Sequence, residues 1–287
     1  MLRSLFSAIS GLRANQTMLD VTGNNIANAN TAGFKASSVV FQDTLSQMLT
    51  GGGAPVAGPP ARGGTNPMQV GLGVQVGGIT TNFAQGAAQA TGQVTNLMIS
   101  GDGFFVVQRG GQSLYTRAGA FNFDAGGNLV TPDGDVVQGY AYSNATPPVK
   151  GAIGDVRIPD LVADPAPPAA KMVSYSIGAD GVITGVYDDD TKRPLFQVAL
   201  ANFANPAGLE KAGDTTFREG ANSGTAVVDA PGSGRLGTLM GGSLEMSNVD
   251  LAQEFTNLII AQRGFQATSR VITTSDQVLE ELVNIKR

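Results

Sequence analysis

The sequence predicts an α+β protein: long N- and C-terminal helices pairing as a coiled-coil layer, with a β-rich, hairpin-built central domain. At the N-terminus Leu2, Leu5, Ile9, Leu12, Gln16, Leu19, Gly23 and Ile26 fall on alternating three- and four-residue steps. At the C-terminus Leu251, Phe255, Leu258, Gln262, Phe265, Ser269, Ile272, Asp276, Leu279 and Val283 do the same. Such spacing sets one narrow seam along a helix and suits a helical partner better than a globular core. Between the two stripes lie roughly 200 residues of glycine-rich, strand-like sequence.

Composition narrows the class. Glycine makes up 39 of 287 residues and charged residues only 14%, against usual values of about 7% and about 25%. That profile fits many turns and a large surface covered by neighbours. A net charge of -5, with few basic clusters, argues against nucleic acid or an anionic membrane as partner. Histidine, cysteine and tryptophan are all absent, which excludes Ser-His and Cys-His catalysis, zinc sites of the ordinary type and disulfide staples. No stretch approaches the ~20 apolar residues of a membrane span, so no membrane insertion is expected. The start is read as retained helix: Ser4, Ser7 and Ser10 break its apolar run and no small-residue cleavage site follows.

The first helix is expected from residue 2 to about 31. It ends in an asparagine-rich run, Asn24-Asn25-Ile26-Ala27-Asn28-Ala29-Asn30, with Gly33 as its stop. Asparagine amides compete for backbone bonds, so this run suggests contacts between helices or fraying. Residues 34–49 read as an irregular or helical arm. Residues 51–67 hold six glycines and four prolines and read as a linker or extended arm. Hairpins follow over 94–142, where Phe104-Phe105-Val106-Val107, Tyr115-Thr116-Arg117 and Leu129-Val130 are punctuated by Gly-Asp-Gly, Gly-Gly and Pro-Asp-Gly turns. Six prolines over 145–170 mark a long connection, and strands resume at 172–187, 195–203 and 225–228. Ser247-Asn248-Val249-Asp250 resembles a capping box with Ser247 as N-cap. The helix it opens is expected to be close to forty residues, about 55 Å long.

The domains are therefore a terminal helical assembly domain (1–50 and 244–287), a Gly/Pro-rich linker or arm (51–68), and a β-rich domain (69–243) with a Pro-rich connection at about 141–170. Gly101-Asp102-Gly103 and Gly71-Leu72-Gly73 are read as hairpin turns, because neither continues as a phosphate loop into a helix. Asp188-Asp189-Asp190 lacks the periodic loop of a calcium site, and Asp133 with Asp135 belongs to a Pro-Asp-Gly turn. All six glutamates lie after residue 209. No catalytic, cofactor or metal constellation is expected, and the chain is read as not an enzyme. The stripes have two readings, a partner surface supplied by neighbouring copies or two helices packed on their own β domain as a monomeric surface-binding module.

Asn24, Asn25 and Asn28, followed by Thr31, Gly33, Phe34 and Lys35, resemble the N-terminal motif of the bacterial flagellar rod and hook proteins. Ser247, Asn248 and Asp250, with Gln262 and Arg263, resemble their C-terminal motif. Val70-Gly71-Leu72-Gly73-Val74, Gly101-Asp102-Gly103-Phe104-Phe105 and Ala199-Leu200-Ala201-Asn202-Phe203 are similar to the inner β domain of the hook protein. The similarity covers nearly the whole chain except 51–67 and 141–170. Asp250 and the Ala-Leu-Ala-x-Phe run favour a short-form hook protein without a large outer domain, and the segment 51–67 leaves the distal rod protein as the alternative.

The resemblance implies a structural subunit that polymerises helically into a hollow flexible tube and transmits torque from rod to filament. It implies an inner layer made by Leu5, Ile9, Leu12, Leu19 and Ile26 with Leu251, Phe255, Leu258, Phe265, Ile272 and Leu279. The implied partners are further copies of the chain, rod proteins, the hook cap, hook-filament junction proteins and the flagellar type III export apparatus. The implied location is the flagellum, reached without a cleaved signal peptide, and no cofactor is implied.

Overall fold

The computed structural model describes residues 2–55, 63–142, 150–158, 172–189 and 191–285. They form two compact units, and the chain crosses from one to the other after Ala27, Ala36, Thr81 and Asn248.

The first unit contains helix α1 (Leu2–Ala27), strands β1 (Ser37–Asp43), β2 (Ser46–Thr50), β3 (Met68–Gly71) and β4 (Val74–Thr81), and helix α2 (Leu251–Ile285). α1 stops short of the expected end near 31 because Asn28 draws the backbone out of the helix. Its carbonyl accepts the Thr31 N–H at 3.1 Å and its Oδ1 accepts the Thr31 hydroxyl at 3.1 Å. Gly33 is thus not the helix stop. α2 begins at Leu251, not at 247–248, and spans 35 residues. Its cap is Asp250 rather than Ser247: Asp250 Oδ1 accepts the backbone N–H groups of Ala252 and Gln253 at 2.9 and 3.2 Å.

The arm expected over 34–49 is extended. β1 pairs antiparallel with β4 from Ser37↔Thr81 to Asp43↔Val74, because Val39, Val40 and Phe41 suit a pleated surface better than a helix. β2 pairs with β3, and beyond them Gly53 and Thr65 exchange backbone hydrogen bonds at 3.0 Å. The centre of the Gly/Pro segment, 56–62, lies outside the described residues. α1 packs on α2 and on β1 and β4.

The second unit takes Asn28–Ala36 and Asn82–Asn248. Its described strands build a thirteen-stranded sheet and two separate pairs, Leu97–Ser100 with Thr238–Gly241 and Ala88–Ala90 with Ser243–Glu245. The main path of the large sheet runs Met172–Ile177, Val182–Tyr187, Lys192–Val198, Val136–Tyr142, Phe104–Arg109, Gln112–Thr116, Thr216–Arg218 and Glu210–Gly213. Phe104–Arg109 is its centre and is buried on both faces, which is why it reads as an unbroken apolar run. Phe105 and Val107 join Leu97, Ile99, Phe121, Val137 and Leu200 in one core. Phe104 and Val106 join Tyr115, Phe203 and Phe217 in a second core. The Gly110-Gly111 turn after this strand has φ of 56° and 88°, the pair of positive values that a two-residue hairpin requires.

The Pro-rich connection falls mostly on 143–149 and 159–171, outside the described residues. The part between them, Lys150–Asp155, is a strand paired with Val136–Tyr142. The ring of Phe105 meets that of Phe121 edge to face at 5.0 Å, and neither side chain reaches solvent. Phe105→Ala is expected to cost roughly 3–5 kcal/mol, read as a fall in the urea midpoint followed by tyrosine fluorescence.

Candidate assembly site

The helices of the first unit meet through small and polar residues. A Cβ on Gly264 would stand 2.7 Å from Asn15 Oδ1, and one on Gly11 would stand 3.2 Å from Thr268 Cγ2. Asn25, itself buried, donates from Nδ2 to Glu254 Oε1 at 3.1 Å and to the Ser37 carbonyl at 2.7 Å, and its Oδ1 accepts the Ser37 N–H at 3.0 Å. The steps between Gly11, Asn15 and Asn25 equal those between Thr268, Gly264 and Glu254, so the helices run antiparallel in one fixed register. Ala8, Ala14 and Thr22 on α1 and Ala261 on α2 are buried.

This register decides which half of the C-terminal stripe faces α1. Leu258, Phe265 and Ile272 are half-buried there, with Glu254, Ala261, Thr268 and Ser275 as the alternate line, and Leu279 is half-buried beyond the end of α1. Leu251, Phe255, Gln262, Asp276 and Val283, placed on the same seam by the sequence pattern, turn outward instead. The pattern followed bulk, whereas the close contact between α1 and α2 selects alanine, glycine and threonine. On α1, Leu5, Ile9, Leu12, Leu19 and Ile26 are half-buried. Uncovered on α2 are Leu251, Phe255, Ile259 and Ile260, with Phe255 51% exposed, on the strands Val40, Met48, Leu49, Met68 and Val70, and between β1 and β2 Leu45. An apolar face of this extent marks an interaction surface.

In the second unit the motif residues knot around one carboxylate. Lys35 Nζ lies 2.6 Å from Glu245 Oε1, both side chains fully buried, and also donates to the Ala84 carbonyl at 2.8 Å. The Gly86 N–H donates to Glu245 Oε1 at 2.9 Å, and the Gly33 N–H to the Glu245 carbonyl at 2.8 Å. Gly33 has φ of 72°, and a Cβ there would collide with the Ala118 backbone. Arg117 reaches Glu245 Oε2 at 3.5 Å with its guanidinium 5.2 Å above the Phe104 ring, and its Nε has no hydrogen-bond partner among the described residues. Burial pulls the Lys35 pKa down against the opposing pull of Glu245, and burial also lowers that of Arg117.

Asn248 closes the knot: its Oδ1 accepts the Ala36 N–H at 2.8 Å and its Nδ2 donates to the carbonyls of Asn82 and Ala84 at 2.8 and 3.1 Å. Phe34 lies under Lys211, whose Nζ is 5.4 Å from the ring centroid. Asn24, Gln262 and Arg263 are exposed and Ser247 is half-buried. Sequence reasoning missed Glu245. Its signal was present in Lys35 and Arg117, two cations among apolar neighbours that need a carboxylate when buried.

The other candidates are turns. Asp135 is held by Arg109 in a fork at 2.7 and 2.8 Å. Asp189 Oδ1 accepts the backbone N–H of Thr191 at 3.2 Å, and Asp190 lies outside the described residues. Among the described residues no group of three or more His, Cys, Asp or Glu side chains could hold a metal ion, and no helix is long and apolar enough to cross a membrane.

Residues 5–35 match the family described as Flagella basal body rod protein. Residues 98–185 match the Flagellar hook protein FlgE/F/G D1 domain, and residues 240–285 match Flagellar basal body rod FlgEFG protein C-terminal. The chain is 47% identical over 288 residues to the flagellar basal-body rod protein FlgG of Bacillus subtilis, covering all of both chains. It is 32% identical over 444 aligned positions to the flagellar hook protein FlgE of Borreliella burgdorferi, and 35% identical over 290 to FlgG of the same organism, again covering all of each chain.

Lys35→Ala leaves the Glu245 carboxylate buried without its main partner and is expected to destabilise the second unit by roughly 3–5 kcal/mol. The triple variant Lys35→Met/Arg117→Met/Glu245→Gln, which removes both buried cations together with the carboxylate, is expected to lose much less. Guanidinium denaturation of both variants checks the difference.

Proposed function

The chain belongs to the flagellar rod and hook protein family, whose members are structural proteins and not enzymes, and we propose that it is the subunit of the flagellar hook. Copies polymerise helically into a hollow, flexible tube that joins rod to filament and carries torque while bending. The observation that carries this reading is the apolar surface of α2 at Leu251, Phe255, Ile259 and Ile260, which the described residues leave exposed. Contacts between two different patches that do not close into a ring generate an open helical polymer. In it the α1–α2 pair forms the layer lining the channel, with Leu251 and Phe255 meeting neighbouring copies while Leu258, Phe265 and Ile272 hold α1.

Hook rather than rod is supported by Asp250 and the Ala199-Leu200-Ala201-Asn202-Phe203 run, which resemble the hook protein. The distal rod is the second reading, favoured by the 47% full-length identity to a rod protein of equal size. Export through the flagellar type III apparatus without cleavage fits a retained first helix whose residues are used in packing. The hook cap, the rod proteins and the hook-filament junction proteins are the neighbours of such a subunit.

Phe255→Asp is expected to abolish polymers seen by electron microscopy while leaving the unfolding free energy of the second unit, from urea titration, within about 0.5 kcal/mol of the parent. Curved polymers from the parent chain support the hook, and straight, stiff ones support the rod.

A further inference from the structure

α2 outruns α1. Continuing the register set by Gly11–Thr268, Asn15–Gly264 and Asn25–Glu254 brings Leu2, the first helical residue, opposite Gln277. Val278–Ile285 therefore extends past the end of its partner by about 12 Å at 1.5 Å per residue. Val278, Leu282 and Val283 on this overhang are exposed by 44%, 49% and 71%. Glu281 flanks that stripe beside Val278, and Glu280 flanks it beside Val283. Neither has an ion-pair partner among the described residues.

The same unit carries a groove of about 420 Å³ between α1 and β4, lined by Phe6, Ile9, Arg13, Val74 and Val76. The Val74 N–H donates to Ser10 Oγ at 3.2 Å, which fixes the strand against the helix at its floor. Phe6 stands 65% exposed at one end, and Arg13 is exposed and makes no ion pair among the described residues.

We propose that the Val278–Ile285 overhang of one copy docks in the α1–β4 groove of a second copy, with Leu282 and Val283 against Phe6, Ile9 and Val76 and with Glu281 against Arg13. This deepens the homopolymer reading and rests on it. A chain's own groove is out of reach: the overhang continues beyond Leu2, away from residues 6–17, and a rigid helix does not fold back. Glu281 on the overhang and Arg13 in the groove are of opposite charge, and the knob and the socket are different surfaces. Each copy thus offers both, which makes the contact heterologous and propagating.

The chain has no cysteine, so single cysteines report the contact cleanly. Phe6→Cys and Leu282→Cys full-length variants are mixed under polymerising conditions with mild oxidant. Within one copy Phe6 lies opposite Thr273, about 13 Å along the axis from Leu282, beyond the ~7 Å Cα separation that a disulfide tolerates. A covalent dimer is expected in the mixture and in neither variant alone, and Ile9→Cys with Leu282→Cys serves as a second pair. Arg13→Glu is expected to lower cross-linking on the order of tenfold, and Arg13→Glu combined with Glu281→Arg to restore it. Polymers that form with no cross-link in either pair, or with yields unchanged by Arg13→Glu, overturn the docking and leave the polymer reading standing. A parent chain that forms no polymer overturns both.

Discussion

The close approach of α1 and α2 is the contact on which the first unit depends. Glycine at positions 11 and 264 and alanine at position 261 remove the bulk that would hold two helices apart. Asn25 and Glu254 then lock the register with a hydrogen bond. Using small residues for the contact within a chain has a consequence for the large ones. Leu251, Phe255, Ile259 and Ile260 are displaced to the outside, where the described residues leave them exposed. Burial of apolar area stabilises by about 25 cal/mol per Å², so assembly gains from the same residues that the lone chain leaves wet. The antiparallel register also sets the overhang, because it aligns helices of 26 and 35 residues from the Asn25–Glu254 end.

A different device organises the second unit. Glu245 gathers Lys35, the Gly86 amide and Arg117, and Asn248 gathers Ala36, Asn82 and Ala84. Segments distant in sequence, 28–36, 82–86 and 245–248, are brought together at one buried polar cluster. A buried ion pair is weak evidence for net stability, because desolvating both charges opposes their attraction. Its value here is specificity: an apolar cluster would tolerate a shifted register, whereas Lys35, with a carboxylate and a carbonyl to satisfy, accepts one position only.

Much of this was legible in the sequence. The terminal stripes, the continuous apolar Phe104-Phe105-Val106-Val107 run and the Gly-Gly turn follow from local pattern and turn chemistry. The d-type line of α2, from Leu258 to Leu279, was found because bulky residues mark it. The opposite line, Glu254, Ala261, Thr268 and Ser275, was not, because small residues in a seam are silent until the partner helix is known. The cap was misplaced by three residues because Ser247 and Asp250 both satisfy the local pattern, and the geometry chooses the one nearer the first turn. β1 escaped notice because its partner, β4, lies across the Gly/Pro segment, and pairing at that distance leaves no local mark. Glu245 carries its role only through residues far away in sequence.

The central claim is that the outer apolar face of the helix pair stays uncovered until other copies bury it. Amide hydrogen exchange along Leu251–Ile285, compared between the dilute chain and its polymer, tests this most directly. Rapid exchange in the dilute chain and strong protection in the polymer is the expected result, because an amphipathic helix gains most of its stability from what it packs against. Equal, strong protection of the whole helix in both states would contradict it.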